Sequence, residues 1–331
     1  MAEAEVALPH RPPPLYRSAA GQAALHAHYN KALAALPYQH EEKLVETSFG
    51  TAHVLVCGPA DAPPLVLWHG MAVPGPFMIR MFDPLVQHYR VYAPDHPYQG
   101  ALKQQRFYSG SRTQDADLDT SRHENGKWCL EVLRGLGLVP PAGAEGGKAP
   151  PPLHIGVSFG GAVLLDLAVV APEAIRGAAL VVPGGLLPGA RWSILFRLIL
   201  PSMLYRLLPC SPTAWLSLVS MCDEPWDPDQ DQILLTWRHV LSFPQLPGGD
   251  SGFSREQLSR LAAPTIVITA EHDMFAPGHA AAEAAAAALP DCKTIFIPGA
   301  KHLPSKEKQA ELNNWIQAFF VSRGLAGTAA S

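Results

Sequence analysis

Short apolar runs rich in β-branched residues alternate with longer segments of helical spacing along most of the chain. Eight of these runs are predicted as strands, and the first two form a hairpin around Gly50: residues 42–48, 51–57, 65–69, 90–94, 153–157, 177–182, 264–270 and 293–297. Alternation of strands and helices is typical of a mostly parallel sheet covered by helices on both faces. We therefore expect an α/β protein with about eight strands.

One long segment, residues 185–250, interrupts this alternation. It separates the last two predicted strands from the preceding one by far more than a single helix and its loops, and it contains helical apolar runs. We expect an inserted helical cap at this point. The predicted domains are then a partly helical N-terminal extension (1–41), a core (42–184 and 251–331) and the cap (185–250).

The cap contains a segment that is apolar around most of a predicted helix, which is more than a helix that covers one surface needs. Its large apolar residues are Leu195, Phe196, Leu198, Ile199, Leu200, Met203, Leu204, Leu207 and Leu208. They are predicted to line a pocket for an apolar ligand. The alternative is that they serve only to pack the cap against the core.

Composition and charge argue against several classes of protein. Lys+Arg 25 against Asp+Glu 29 gives a net charge of -4, without a basic stripe that could neutralise nucleic-acid phosphates. The N-terminus has no basic start followed by an apolar core, and no apolar run reaches the ~20 residues that span a bilayer. We therefore expect a cytoplasmic protein without a nucleic-acid partner or transmembrane segment, and its oligomeric state stays open.

The sequence also gives no reason to expect a metal or another cofactor. Its five cysteines are scattered, odd in number and without a C-x-x-C pair, so they predict neither a zinc site nor a disulfide framework. The acidic residues 223–231 do not fit a calcium loop, because Gln232 and Arg238 stand where that loop needs Gly and Glu. We interpret this stretch as a solvated turn of the cap.

The sequence GVSFGG, residues 156–161, follows a predicted strand and precedes a helical run. This is a G-x-S-x-G motif in the strand, turn and helix context that its chemistry requires. Ser158 would lie on a strained turn that exposes its hydroxyl above the sheet, and small neighbours avoid clashes there. Ser158 is thus a candidate nucleophile. The alternative is a Gly/Ser turn that serves only packing.

A serine nucleophile needs a general base, and the base needs a carboxylate to orient it. Asp273 and His302 each lie in a loop after one of the last two predicted strands, at the sheet edge where ligands usually bind. The resulting chain order is Ser, Asp, His. Glu271, two residues before Asp273, is an alternative carboxylate.

Taken together, GVSFGG, the TAEHD loop and the GAKHLP loop resemble α/β-hydrolase-fold serine hydrolases of the cap-bearing, carboxylesterase-like type. The resemblance spans roughly residues 42–323. It implies an α/β-hydrolase fold with Ser158 as nucleophile, Asp273 as orienting acid and His302 as base.

Two further stretches resemble loops of that family. The sequence HGMA at residues 69–72 is similar to its HG loop, which implies an oxyanion hole formed by the backbone N–H groups of Met71 and Phe159. Residues 94–100 resemble its D-x-P-G-x-G turn, although Tyr98 replaces the first glycine.

The resulting functional prediction is hydrolysis of a small-molecule carboxylic ester with an apolar part, through an acyl-Ser158 intermediate. Thioester hydrolysis, acyl transfer and hydroxynitrile cleavage could use the same residues. From another class, the fold could serve as a non-catalytic ligand receptor or scaffold, since a fold alone does not determine a function.

Overall fold

The computed structural model describes residues 15–97, 119–141, 143, 149–241 and 245–326. Parts of all three predicted domains lie outside this set: residues 1–14 of the extension, residues 242–244 of the cap, and residues 98–118, 142, 144–148 and 327–331 of the core. Tyr98, Gln99 and Gly100 of the predicted turn are among them.

Eight strands form one sheet within the described residues. They are β1 (His40–Thr47), β2 (Gly50–Cys57), β3 (Pro64–Trp68), β4 (Arg90–Pro94), β5 (Leu153–Val157), β6 (Gly177–Val181), β7 (Thr265–Ala270) and β8 (Cys292–Ile297). Their order in the sheet is β1-β2-β4-β3-β5-β6-β7-β8. β2 is antiparallel to β1 and β4, and all other pairs are parallel. The mostly parallel sheet is thereby confirmed, with strand ends shifted by at most two residues.

Helices cover both faces of this sheet, and others lie in the segment predicted as the cap. They are α1 (Ala19–Ala34), α2 (Gly75–Met81), α3 (Asp83–Val86), α4 (Glu124–Gly135), α5 (Phe159–Val170), α6 (Arg191–Ile194), α7 (Leu200–Leu207), α8 (Ser211–Leu218), α9 (Asp231–His239), α10 (Arg255–Ser259), α11 (Gly278–Ala288) and α12 (Lys306–Ser322). A π-helical turn, Leu195–Ile199, joins α6 to α7.

Alternate residues of the central strands face two separate apolar cores, as the two-residue period of a strand requires. Leu55 and Leu67 belong to the core beneath α12, where Phe320 is fully buried. Val54 and Val66 point to the opposite core, beneath α4 and α5. Burial on both faces explains why these strands are nearly continuous apolar runs.

The helices α6 to α9 lie between β6 and α10, in the segment predicted as the cap. α7 packs against α8 and α9, and α9 also packs against α1 of the N-terminal extension. The backbone N–H of Arg17 donates to the carbonyl of His239 at 2.8 Å, close to that contact. The domain boundaries themselves stay a prediction.

The parallel strands end at one edge of the sheet. Ser158 follows β5 directly, and the loops that contain Asp273 and His302 follow β7 and β8. The HG loop follows β3 at the same edge. Because β3, β5, β6, β7 and β8 are neighbours in this order, these loops meet above the middle of the sheet.

Candidate active site

Ser158 lies on a sharp turn between β5 and α5. Its backbone has φ 52° and ψ -115°, in a region that residues other than glycine rarely adopt. Backbone bonds hold this conformation: the N–H of Ser158 donates to Val181 O at 2.9 Å, and its carbonyl accepts from Gly161 N and from Gly184 N, each at 2.9 Å. The strained turn expected from the motif is therefore present.

The two glycines that flank Ser158 allow a close approach of neighbouring backbone. A Cβ atom on Gly160 would lie 1.9 Å from the carbonyl oxygen of Trp68 in β3. One on Gly156 would lie 2.6 Å from the carbonyl oxygen of Gly160. Since neither contact is possible for a real side chain, both positions require glycine.

Ser158, His302 and Asp273 form a continuous hydrogen-bonded chain. His302 Nε2 is 2.8 Å from Ser158 Oγ, and His302 Nδ1 is 2.8 Å from Asp273 Oδ2. A carboxylate only accepts hydrogen bonds, so the Nδ1–H donates to Asp273 and Nε2 is left to accept from the serine hydroxyl. The imidazole of His302 is buried.

The two carboxylates that the sequence left open have different contacts. Asp273 bonds to His302, and its other oxygen, Oδ1, accepts the backbone N–H of Phe275 at 2.8 Å. The Phe275 ring packs on the imidazole at a centroid distance of 4.4 Å. Glu271 instead accepts the backbone N–H of Gly299 at 2.7 Å. Glu271 thus holds the loop that contains His302, while Asp273 contacts the imidazole itself.

The HG loop is held by the imidazole of His69. His69 Nε2 accepts the backbone N–H of His96 at 2.8 Å, and its Nδ1 lies 2.9 Å from Gly70 O. Burial lowers the pKa of His69, so the ring is neutral and its single N–H donates to Gly70 O. Gly70 O also accepts from Val73 N at 3.1 Å, which closes a tight turn around Met71.

Met71 and Phe159 both line the cavity beside Ser158. Phe159 is the first residue of α5, and the first N–H groups of a helix have no acceptor within it. The positive end of the helix dipole is at the same place. The arrangement is suitable for an oxyanion hole, whose assignment to these two residues stays a prediction.

Another buried histidine, His96, packs against the ring of Phe159. Its ring makes edge contacts with Phe159 and Trp128, at centroid distances of 5.0 and 5.1 Å. Burial lowers the pKa of His96 to about 3, so the ring is neutral. Sequence reasoning missed this role of His96, although its place directly after Asp95 in the D-x-P turn was a usable signal.

Asp95 is fully buried and connects several elements below the HG loop. Its Oδ2 accepts from Tyr29 Oη at 2.7 Å and from His53 Nδ1 at 2.9 Å. Its Oδ1 accepts the backbone N–H of Gly75 at 2.9 Å. His53 also bonds to Glu42 at 2.8 Å. This network ties α1, β2 and α2 to the end of β4.

A cavity of about 270 Å³ lies above Ser158, between the sheet edge and the helices of the cap segment. Among the described residues that line it, the only ionisable or hydroxyl-bearing side chains are Ser158, Asp273 and His302. The rest of the lining is almost entirely apolar. A ligand in this cavity would therefore meet ionisable and hydroxyl groups of the described residues at one place only, at Ser158 and its two partners.

The cap segment contributes Leu198 to this cavity, but not the other eight residues predicted to line it. Most of them point outward: Phe196 is 61% exposed and Leu207 is 81% exposed. The pocket-lining prediction is therefore wrong for these residues, and so is the alternative of packing against the core for the exposed ones. A helix that is apolar all round can turn only one side to the cavity.

The described part of the chain contains neither a metal-binding cluster nor a membrane-spanning helix. Among the described residues, no group of three or more His, Cys, Asp or Glu side chains is placed to hold a metal ion. Within the same part of the chain, no helix has both the length and the apolar character that crossing a membrane requires.

Residues 65–315, three quarters of the chain, match the α/β hydrolase family. The chain belongs to this family. This chain is 26% identical over 303 residues to the uncharacterised carboxylesterase nap of Bacillus subtilis (strain 168). The alignment covers 88% of this chain and 90% of that protein. This chain is also 24% identical over 310 residues to the carboxylesterase YbfK of the same strain, covering 88% and 91%.

The fold is also similar to solved structures. The crystal structure of naproxen esterase (carboxylesterase NP) from Bacillus subtilis matches with a TM-score of 0.71 at 23% sequence identity, covering 93% of this chain and 100% of the other. Together with the family match, this confirms the α/β-hydrolase fold that the motifs of the sequence implied.

Proposed function

We propose that this α/β hydrolase cleaves carboxylic esters, with Ser158 as nucleophile, His302 as general base and Asp273 as orienting acid. The observation that carries the proposal is the pair of 2.8 Å hydrogen bonds that joins these three side chains above the strained serine turn. The similarity to two carboxylesterases supports it.

In the first step His302 Nε2 takes the proton of Ser158 Oγ as this oxygen attacks the ester carbonyl carbon. The carbonyl π electrons move to the oxygen, and the resulting oxyanion is stabilised by the N–H groups of Met71 and Phe159. The C–O bond to the alcohol then breaks, and protonated His302 gives its proton to the leaving oxygen. The acyl group stays on Ser158.

The second step returns the enzyme to its starting state. A water molecule attacks the acyl carbon while His302 takes one of its protons. When the tetrahedral intermediate collapses, the bond to Ser158 Oγ breaks and His302 returns the proton to that oxygen. The carboxylic acid leaves. Asp273 accepts the Nδ1–H of His302 throughout, so only Nε2 gains and loses the proton.

The cavity favours an uncharged substrate with a compact apolar part. Its volume of about 270 Å³ is slightly below that of most ligand pockets, which measure roughly 300–1,000 Å³. No Lys or Arg side chain lines it among the described residues, so a free carboxylate on the ester would lose its hydration without gaining an ion pair. We therefore propose esters of short or medium-length apolar acids as the preferred substrates.

A fluorophosphonate probe and a series of p-nitrophenyl esters test the proposal. We expect one probe molecule per chain, no labelling of Ser158→Ala, and full labelling of the control variant Ser259→Ala, whose serine is exposed at the end of α10. We expect faster hydrolysis of the acetate and butyrate than of the palmitate. If the probe labels no serine and no ester of any chain length is cleaved, the proposal is refuted and a ligand receptor is favoured.

The same assay separates hydrolysis from the other reactions of an activated serine. We expect the acid and p-nitrophenol to form in equal amounts, also when a competing alcohol or thiol acceptor is added. Formation of a new ester in place of the acid would assign the chain to acyl transfer. Much faster cleavage of a matched thioester would assign it to thioester hydrolysis.

A further inference from the structure

We propose that Asp223, which lies in the cap segment, is a positioning residue that holds the base His302 in place. The inference rests on the proposed function, because it assumes that His302 is the base. It adds that the loop containing His302, residues 298–305, is completed from the cap side as well as from the core side.

The side chain of Asp223 accepts hydrogen bonds from both sides of His302. Its Oδ1 accepts the backbone N–H of Lys301 at 3.0 Å, one residue before the histidine. Its Oδ2 accepts the backbone N–H of Ser305 at 3.2 Å and the Nζ of Lys308 at 2.8 Å. One carboxylate thus bridges the part of the loop from Lys301 to Ser305, on both sides of His302.

The backbone of the cap segment adds bonds at the same place. Leu303 N–H donates to Met221 O at 2.8 Å, and Asp223 N–H donates to Leu303 O at 3.0 Å. These bonds form a parallel bridge between Cys222 and Leu303. The residues directly before and after His302 are therefore both bonded to the segment 221–223.

The core holds the two ends of this loop, and at the far end Gln309 of α12 donates from Nε2 to Pro304 O at 2.8 Å. Glu271 accepts the backbone N–H of Gly299 at 2.7 Å, and His272 N–H donates to Ala300 O at 2.8 Å. Beyond Ala300, the backbone bonds to Lys301, Leu303 and Ser305 come from the cap segment. The ring of His302 is thus bonded by core residues, while the backbone on either side of it is bonded by the cap segment.

The chemistry of the contact calls for a carboxylate. Three donors converge on Asp223, and a carboxylate can serve them because both of its oxygens accept. Its side chain is only 11% exposed, and the nearby Lys308 ammonium makes the bond charge-assisted, which shortens and strengthens it. Lys308 also donates to Gly299 O at 3.0 Å and so links Asp223 to the part held by the core.

Asp223 acts on catalysis only through His302, because its side chain does not line the cavity. A shift of the loop would lengthen the bond from His302 Nε2 to Ser158 Oγ, and a displacement of about 1 Å in an active site costs roughly 10²-fold in rate. Loss of Asp223 should therefore lower kcat and leave KM nearly unchanged. A deletion of the cap would remove this support as well.

The chain offers a matched control for the experiment. Asp229 is another cap-segment carboxylate, 16% exposed, that pairs with Lys306 at 2.5 Å and with Arg80 at 2.7 Å. Its replacement removes ion pairs between the cap segment and the core and leaves the bonds of residues 301–305 in place. Asp223→Ala and Asp229→Ala therefore differ mainly in their effect on the loop.

With p-nitrophenyl butyrate we expect Asp223→Ala to lower kcat about 10²-fold with KM within about twofold of the wild type. Asp229→Ala should stay within about threefold in both constants, since its partners Arg80 and Lys306 are 41% and 50% exposed and ion pairs open to solvent contribute little. Asp223→Asn should lie between, because its amide oxygen can still accept from Lys301. If Asp223→Ala does not fold, this nearly isosteric variant decides, and wild-type kcat in Asp223→Asn would then refute the proposal.

A structural measurement separates this inference from the proposed function. The imidazole Nδ1–H of His302, bonded to Asp273, is followed by proton and nitrogen NMR of labelled protein, with His302→Ala to assign the signal. We expect the signal to weaken or vanish in Asp223→Ala and to persist in Asp229→Ala. An unchanged signal in Asp223→Ala, or an equal fall of kcat in both variants, refutes the positioning role. If the wild type cleaves no ester, the proposed function fails and the NMR signal still decides about Asp223.

Discussion

Two buried Asp–His pairs in this protein have nearly the same geometry and different surroundings. His302 Nδ1 lies 2.8 Å from Asp273 Oδ2, and His53 Nδ1 lies 2.9 Å from Asp95 Oδ2. The difference is the group on the other ring nitrogen. For His302 it is the hydroxyl of Ser158 at the cavity, and for His53 it is the carboxylate of Glu42.

The third partner decides what each imidazole can do. A hydroxyl can donate, so His302 Nε2 is left as an acceptor that can take a proton. Two carboxylates only accept, so His53 must donate from both nitrogens and is protonated. Burial alone would lower the pKa of His53, but the hydrogen bonds and charges of Asp95 and Glu42 outweigh it and raise that pKa. An Asp–His pair is thus a catalytic candidate only when the second nitrogen faces a donor and open space.

The largest effects are expected from Ser158 and His302. We predict that Ser158→Ala and His302→Ala each lower kcat about 10⁴–10⁶-fold, because the base activates only the serine. The double variant should be hardly worse than either single one, and His53→Gln should stay near wild-type kcat at a temperature where it is folded. The measurement is steady-state hydrolysis of p-nitrophenyl butyrate. Losses that multiply in the double variant would place the base elsewhere.

Exchanging the aspartates of the two pairs for asparagine should separate activity from stability. Asp273→Asn should lower kcat on the order of 10⁴-fold with a small change in Tm, because an amide does not hold the imidazole in the productive tautomer. Asp95→Asn should instead lower the free energy of unfolding by about 3–5 kcal/mol, the cost of removing one partner of a buried ion pair. Kinetics and thermal denaturation of both variants check this.

The same effect on both variants would remove the distinction between the pairs. If Asp95→Asn loses activity as strongly as Asp273→Asn while it remains folded, the network beneath the HG loop takes part in catalysis. It would do so through His96 and His69, whose hydrogen bond holds the turn around Met71.

A smaller effect is expected for the second carboxylate next to the site. Glu271→Gln should keep kcat within about tenfold of the wild type, because the glutamine carbonyl can still accept the N–H of Gly299 and the net cost of one such bond is about 1 kcal/mol. Activity assays of Glu271→Gln beside Asp273→Asn make the comparison. A large loss for Glu271→Gln with a small loss for Asp273→Asn would make Glu271 the orienting acid.

The parts of the site that were predictable from the sequence have local signals. Ser158 lies in a six-residue motif between a strand and a helix, and Asp273 and His302 lie in short loops after strands, so recognising the strands was enough to place them at one edge. The sheet itself was predictable because its strands, buried on both faces, are short apolar runs.

Other parts depend on contacts that no local pattern reveals. The bond between Asp223 and Lys301 joins residues 78 positions apart, and the acidic stretch around Asp223 has the composition of a solvated turn. In the cap, the apolar pattern predicts a helix but does not indicate which side faces the cavity. The pocket-lining prediction is therefore correct for Leu198 and wrong for Phe196 and Leu207, which are exposed.

The smallest predicted effect is a pH dependence of stability that comes from His53. Its pKa is raised in the folded protein, so the stabilisation from this group is complete below its unfolded pKa of about 6.5 and is lost as the pH rises through the raised value. We expect Tm to fall by roughly 1–4 °C over that range, since about 1 kcal/mol shifts the Tm of a large domain by 2–4 °C or less. In His53→Gln this part of the decrease should be absent, because glutamine does not titrate. Thermal denaturation of both proteins between pH 6 and 9 measures the difference, and parallel Tm curves would show that His53 is neutral and that the two Asp–His pairs are more alike than their third partners indicate.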